Sequence, residues 1–385
     1  MKNLKNNIFY VGVNDHEIDL FEGQYIVPNG MAYNSYVIMD EKIAVMDTVD
    51  VNFGEQWLEN IKEVLGDKCP NFLIIQHMEP DHSACIDKFI NTYPNCVVVG
   101  NAKTFDMLHN FFPNLKIPNT LTVKEGEKLS LGSRELTFIT APMVHWPEVM
   151  LTYDSASKVL FSADAFGKFG ALSHNEEWAC EARRYYFNIC GKYGVPVQTL
   201  LKKIAKLDVA AIYPLHGPLL TENLEYYIGL YDCWSKYEVE TAGVFIAYAS
   251  IYGGTAAVAE RFAQMLRDRG IQKVTLADLC RDDKAEAVED AFRMGTLVLA
   301  AASYDGDVFP PMHEFLHHLQ LKGFRSRRVA IIENGSWAPC AARAMMSLLE
   351  PMKEIEVLEP VVTIRSRMKP TDIPALERLA DAVVG

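Results

Sequence analysis

Along the first half of the chain, apolar residues gather in runs of four or five, the length of a buried strand, and these alternate with stretches of helical spacing. Residues 36–39 and 43–47 read as a hairpin turning at Asp40-Glu41, 51–65 as a helix, and 72–76 as a strand that runs straight into His77. Strands at 96–99, 136–140, 149–153 and 159–162 follow. The segment 183–206 has helical character with a break near 191–196, and 210–213 is a strand leading into His216. From about residue 241 the pattern becomes regular. Strands at 244–249, 273–277, 296–302, 328–333 and from 355 alternate with helices at 256–269, 285–292, 312–321, 341–350 and 373–384. Five strands alternating with five helices predict a doubly wound parallel sheet, whose ligands sit at the carboxyl ends of the strands. Two domains are therefore expected, 1–240 and 241–385.

Composition narrows the picture. With 49% apolar and 23% charged residues over 385 positions, the chain can bury a sizeable core. Its net charge of −13 argues against nucleic acid as the main partner, because phosphate backbones need clustered Lys and Arg. No apolar run reaches the ~18 residues of a membrane span. The polar start at Met1 lacks the apolar core of a signal peptide, so the cytoplasm is the expected compartment. The eight cysteines form no C-x-x-C pair, which leaves no zinc ribbon or Cys-ligated iron site and fits buried, reduced thiols.

The densest chemistry is His77-Met78-Glu79-Pro80-Asp81-His82. A lone histidine after a strand is more often a hydrogen-bonded structural residue than a ligand. Two imidazoles and two carboxylates in six residues are different, since their crowding is costly without a cation. His145, Asp164 and His216 follow later strands and are candidates for the same rim. So oxygen-rich a donor set suits iron or manganese, although affinity alone does not separate iron from zinc. In the second half, Ser250-Ile251-Tyr252-Gly253-Gly254-Thr255 joins a strand to a helix. Hydroxyls and free N–H groups there suit a phosphate, and the absence of Lys excludes a P-loop. Ser303-Tyr304-Asp305-Gly306 and Asn334-Gly335-Ser336-Trp337 follow the third and fourth strands, each offering an aromatic side chain in a Gly-containing loop. That is what a flat isoalloxazine ring needs, with Trp337 the first candidate to pack on it and Tyr304 the second.

The pattern H-x-E-x-D-H, followed by H, D and H at strand ends, resembles the metallo-β-lactamase-like domain of flavodiiron proteins. Hydrolases of that fold usually carry H-x-H-x-D-H, and Glu79 replaces the second His. The three later loops resemble flavodoxin, with Gly254 where a Ser or Asn is common. The resemblance covers essentially the whole chain. It implies an αββα sandwich followed by a flavodoxin-like domain, and FMN plus two iron ions as cofactors. His77, Glu79 and His145 would hold one iron, Asp81, His82 and His216 the other, and Asp164 would bridge. His174, Tyr193 and Tyr25 correspond to pocket or outer-layer side chains. The implied activity is reduction of dioxygen to water or of nitric oxide to nitrous oxide. A reduced flavin gives two electrons and two ferrous ions two more, enough for one dioxygen. No rubredoxin or flavin reductase module follows Gly385, so an external donor such as rubredoxin or reduced deazaflavin is expected. The family assembles as a head-to-tail homodimer, or a dimer of dimers. The rival readings are a zinc hydrolase carrying a flavodoxin passenger, which Glu79 argues against, and a flavin electron carrier or sensor, which needs no open two-metal site.

Overall fold

The computed structural model describes residues 2–174 and 177–385. They form two compact units, Met1–Tyr186 with Val195–Asp232, and Phe187–Gly194 with Cys233–Gly385. Among the described residues no helix is long and apolar enough to cross a membrane.

In the first unit two sheets stack face to face. One runs in the order Lys2–Lys5, Ile8–Tyr10, Tyr36–Ile38, Ala44–Met46, Phe72–Ile74, Val97–Gly100, Thr120–Thr122. The other runs Lys128–Ser130, Glu135–Thr140, Met150–Asp154, Val159–Phe161, Ala211–Tyr213. Residues two apart on a strand share a face. Tyr36 with Ile38, and Ala44 with Met46, therefore enter one core with Leu136, Phe138, Met150 and Phe161 of the other sheet. The hairpin at Asp40-Glu41 forms as expected, with Tyr36 paired to Met46. Helix Gly54–Leu65 buries Trp57, Leu58, Ile61 and Leu65, the i, i+4 stripe of an amphipathic surface helix.

The second unit holds five parallel strands in the spatial order Val274–Asp278, Thr241–Ala249, Met294–Tyr304, Arg325–Asn334, Lys353–Val357. In chain order that is 2-1-3-4-5. The direction of winding reverses between the first and third strands, which opens a crevice at their carboxyl ends. The fifth position is shared, since Val362–Ile364 continues the pairing along the far half of Arg325–Asn334. Alternate side chains of the first strand serve opposite layers. Val244 and Ile246 pack with Val258, Phe262, Leu376 and Leu379, and Phe245 faces Phe315 at 6.4 Å. The stretch 187–194 joins this unit through Phe187, stacked 4.2 Å from Phe292.

One buried cation ties the lower end of this sheet. Arg327 donates to the carbonyls of Tyr237 (2.7 Å), Glu238 (3.0 Å) and Met294 (2.9 Å), and also to that of Phe292. Its burial lowers the guanidinium pKa to about 10, still ionised at neutral pH. Arg327→Met preserves apolar bulk but strands these acceptors. We expect the second unit to lose about 3 kcal/mol or more, read as a lower urea midpoint by circular dichroism.

Candidate metal and cofactor sites

Four loops deliver the metal candidates. His77 follows Phe72–Ile74 in one sheet. His145 follows Glu135–Thr140, Asp164 follows Val159–Phe161, and His216 follows Ala211–Tyr213 in the other. The turn at Glu79-Pro80 starts a short helix, Pro80–Ser83, that carries Asp81 and His82 back toward the same point. Two groups result: His77, Glu79, His145 and Asp164, and Asp81, His82 and His216. In the first, His145 Nε2 lies 3.0 Å from Glu79 Oε2 and 3.1 Å from Asp164 Oδ2. His77 Nε2 lies 3.2 Å from Glu79 Oε2 and 3.3 Å from Asp164 Oδ2. In the second, Asp81 Oδ2 is 3.3 Å from His82 Nε2 and 3.2 Å from His216 Nε2. Asp164 spans both, with Oδ1 3.3 Å from His82 Nε2.

These atoms fit two cations. His216 Nδ1 lies 2.8 Å from the Ala32 carbonyl, which can only accept, so Nδ1 carries the proton. Its Nε2 then presents a lone pair to Asp81 unless a cation intervenes. His82 Nε2 and His216 Nε2 meet at 3.0 Å, a contact two lone pairs would oppose. Asp81 Oδ1 and Asp164 Oδ1 are buried and find no hydrogen bond among the described residues. Electrostatics shows the same demand for positive charge. Burial pushes the pKa of His77 down, but Asp164, Glu148 and Glu79 more than reverse it. Burial likewise lowers His145, yet Asp164 and Glu79 hold it up at about 9. Burial raises Asp164, and the imidazoles of His77, His145 and His82 bring it well below the usual carboxylate range.

Residues that the sequence did not single out hold the ligands. Asp47 is fully buried, and its Oδ1 accepts from the Gln76 N–H at 2.7 Å and the His77 N–H at 3.3 Å. Glu148 Oε1 takes the His77 Nδ1 contact at 2.8 Å and the Met78 N–H at 2.8 Å. No local spacing marks either carboxylate, since Asp47 and Glu148 stand 30 and 71 residues from His77. Trp146 packs 5.2 Å from the His77 ring and stacks over Phe111, which covers that side. Tyr25 is two rings removed: it lies 5.9 Å from Phe169, which meets Phe21, whose ring is 5.5 Å from His216. His174 is exposed, its ring 6.3 Å from His16, and stands in neither group. Tyr193 ends the 3-10 turn Gly191–Tyr193, which clusters with the second unit.

The second unit has a cavity of about 960 Å³ at the strand ends. Its lining includes all three expected loops: Ser250, Tyr252, Gly253, Gly254 and Thr255; Ser303, Tyr304, Asp305 and Gly306; Asn334, Gly335, Ser336 and Trp337. Helix Gly254–Asp268 begins there with Gly253 at φ 82° and no side-chain cap, leaving its first N–H groups for an anion. Ser250 Oγ is buried without a partner among the described residues. A phosphate and a flat ring therefore fit, with Trp337 90% exposed at the mouth. A fourth wall, Ser366, Arg367 and Met368, was not anticipated. Asn334 fastens it, donating to the Ser366 carbonyl at 2.9 Å and accepting its N–H at 2.9 Å. That wall explains Gly254: a Cβ there would meet Ser366 O at 2.5 Å. Gly254→Ser should cost about 1–3 kcal/mol of local packing and weaken the binding of added FMN roughly ten- to hundredfold. Flavin retained through dialysis, against unchanged metal content, checks this.

Comparison with known proteins agrees with this architecture. A family model described as "ODP family beta lactamase" matches residues 31–217. The chain is 29% identical over 349 residues to an anaerobic nitric oxide reductase flavorubredoxin of Vibrio vulnificus, covering 87% of this chain and 70% of that protein. Among solved structures it superposes on the rubredoxin oxygen:oxidoreductase of Desulfovibrio gigas with a TM-score of 0.92, 23% identity, and coverage of 99% and 97%. It also superposes on the flavodiiron protein of Giardia intestinalis with a TM-score of 0.91, 23% identity, and coverage of 98% and 94%. With a β-lactamase-like unit bearing two carboxylate–imidazole groups, and a flavodoxin-like unit after it, this chain has the fold of flavodiiron proteins and is similar over nearly its whole length to oxidoreductases of that kind.

Proposed function

We propose that this protein reduces dioxygen, nitric oxide or both at a pair of iron ions, with electrons relayed through FMN from a separate donor. The observation that carries the reading is Asp164, whose two oxygens face different imidazole–carboxylate groups. A plain flavin carrier has no need of that arrangement, and a two-metal hydrolase has no need of a flavin-sized cleft in its other unit. His77, Glu79 and His145 would hold one iron, and Asp81, His82 and His216 the other. When bound, the irons would supply Lewis acidity and electrons, and the flavin would supply electrons in pairs.

The chain's own side chains do the rest. Asp47 and Glu148 fix the backbone of residues 76–78, and so aim His77. The carbonyl of Ala32 sets the tautomer of His216. Trp146 keeps bulk water from the His77 side. The names of the relatives, a nitric oxide reductase and a rubredoxin oxygen:oxidoreductase, support both gases and a rubredoxin-like donor. Reduced deazaflavin is the alternative donor. The reading extends to a head-to-tail homodimer, or a pair of such dimers, in the cytoplasm, a two-fold dimer being the commonest closed assembly.

Asp164→Ala should bring iron from two per chain toward none and lower gas consumption by at least about a hundredfold, with the flavin spectrum intact. Elemental analysis and an oxygen or nitric oxide electrode make the measurement. A variant with full iron and full rate would remove the bridging role. A colourless purified protein holding only zinc would remove the reading.

A further inference from the structure

The two metal positions are built alike at the front and differently behind. His77 turns its Nδ1 to a carboxylate, Glu148 Oε1, at 2.8 Å. His216 turns its Nδ1 to a neutral carbonyl, Ala32 O, at 2.8 Å. His82 Nδ1 is buried and has no hydrogen-bond partner among the described residues. Glu148 is fully buried, so its charge acts on His77 with little screening by water. It is also braced: the same oxygen accepts the Met78 N–H at 2.8 Å, and the Glu148 carbonyl accepts from Asn101 Nδ2. A carboxylate on the far nitrogen makes an imidazole a stronger donor and locks its orientation, whereas a carbonyl does this less and no partner does it not at all.

We infer that Glu148 is a positioning residue that makes the two metal positions unequal, so that the one formed by His77, Glu79 and His145 binds a divalent ion first and more tightly. The inference rests on the two-metal reading above. It assigns Glu148 an effect on one position alone, exerted through His77. The hydrogen bonds of Glu148 go to His77, Met78 and Asn101, and Asp81, His82 and His216 keep theirs when Glu148 changes.

The test is a Co²⁺ titration of the intact flavoprotein after removal of its metal by chelation, followed by visible absorption and calorimetry. The wild type should take up two ions in two resolved steps. Glu148→Gln keeps an oxygen for the Met78 N–H but loses the negative charge. It should weaken the first step by about 10–100-fold and leave the second within about threefold. Glu148→Asp should recover part of the loss. Two unresolved steps of equal strength in the wild type would overturn the inference. Equal weakening of both steps in Glu148→Gln would also overturn it, because that is the mark of general loosening. A protein that binds no Co²⁺ would overturn the two-metal reading itself and the inference with it.

Discussion

The Asp164 carboxylate is the constraint around which the first unit is arranged. It is buried, with one oxygen toward His145 and His77 and the other toward His82. Three ionised carboxylates and four neutral imidazoles in the two groups carry a formal charge of −3. Held away from water, that charge is affordable only beside cations. The surrounding backbone bends to the same requirement. Met143, Ala163 and Phe166, each within two residues of His145 or Asp164, and Asp47, which holds the His77 N–H, have φ between 49° and 66°. Non-glycine residues in that region are strained and persist only where packing over-determines them. The sandwich core of Tyr36, Met46, Phe138 and Phe161 supplies the rigidity that lets the loops hold such conformations.

The second unit meets its ligand by different means. Its cleft comes from topology, the reversal of strand order, and from backbone brought close. Gly253 and Gly254 are needed for separate reasons. Gly253 sits at φ 82°, where an L side chain is disfavoured. Gly254 faces the Ser366 carbonyl, where a Cβ has no room. Asn334 unites two walls by a reciprocal pair of hydrogen bonds with Ser366. Side-chain charge makes the first site, and shape with free N–H groups makes the second. Damage to one is therefore expected to leave the other standing.

What could be read in the sequence follows the strength of the periodic pattern. The five strands and five helices after residue 241 were legible because each is long and its apolar face repeats without interruption. The 77–82 cluster was legible because its charge density has no cheap structural explanation. The short strands between residues 8 and 33 were not, since runs of two or three residues are too short to show a period. Helices Ala102–Phe111 and Leu224–Ser235 were missed for a related reason: the first buries little, only Thr104 and Leu108, and the second is rich in aromatics that read equally as strand. Asp47, Glu148 and the Ser366 wall could not be found locally. Each acts on a residue about 30 to 110 positions away, and only the fold reveals the pairing.

The loop after strand Glu135–Thr140 shows why the two metal positions need not behave alike. Within four residues it provides a ligand, His145, a cover, Trp146, and the carboxylate behind His77, Glu148. Any movement of this loop would disturb the ligand, the shielding and the second imidazole together. The other position draws Asp81 and His82 from one segment and His216 from another 134 residues after His82. Coupled supports fail or hold as a unit, whereas separate ones yield one at a time. If the two groups hold a metal pair, the position behind which Glu148 stands would be the more firmly anchored of the two.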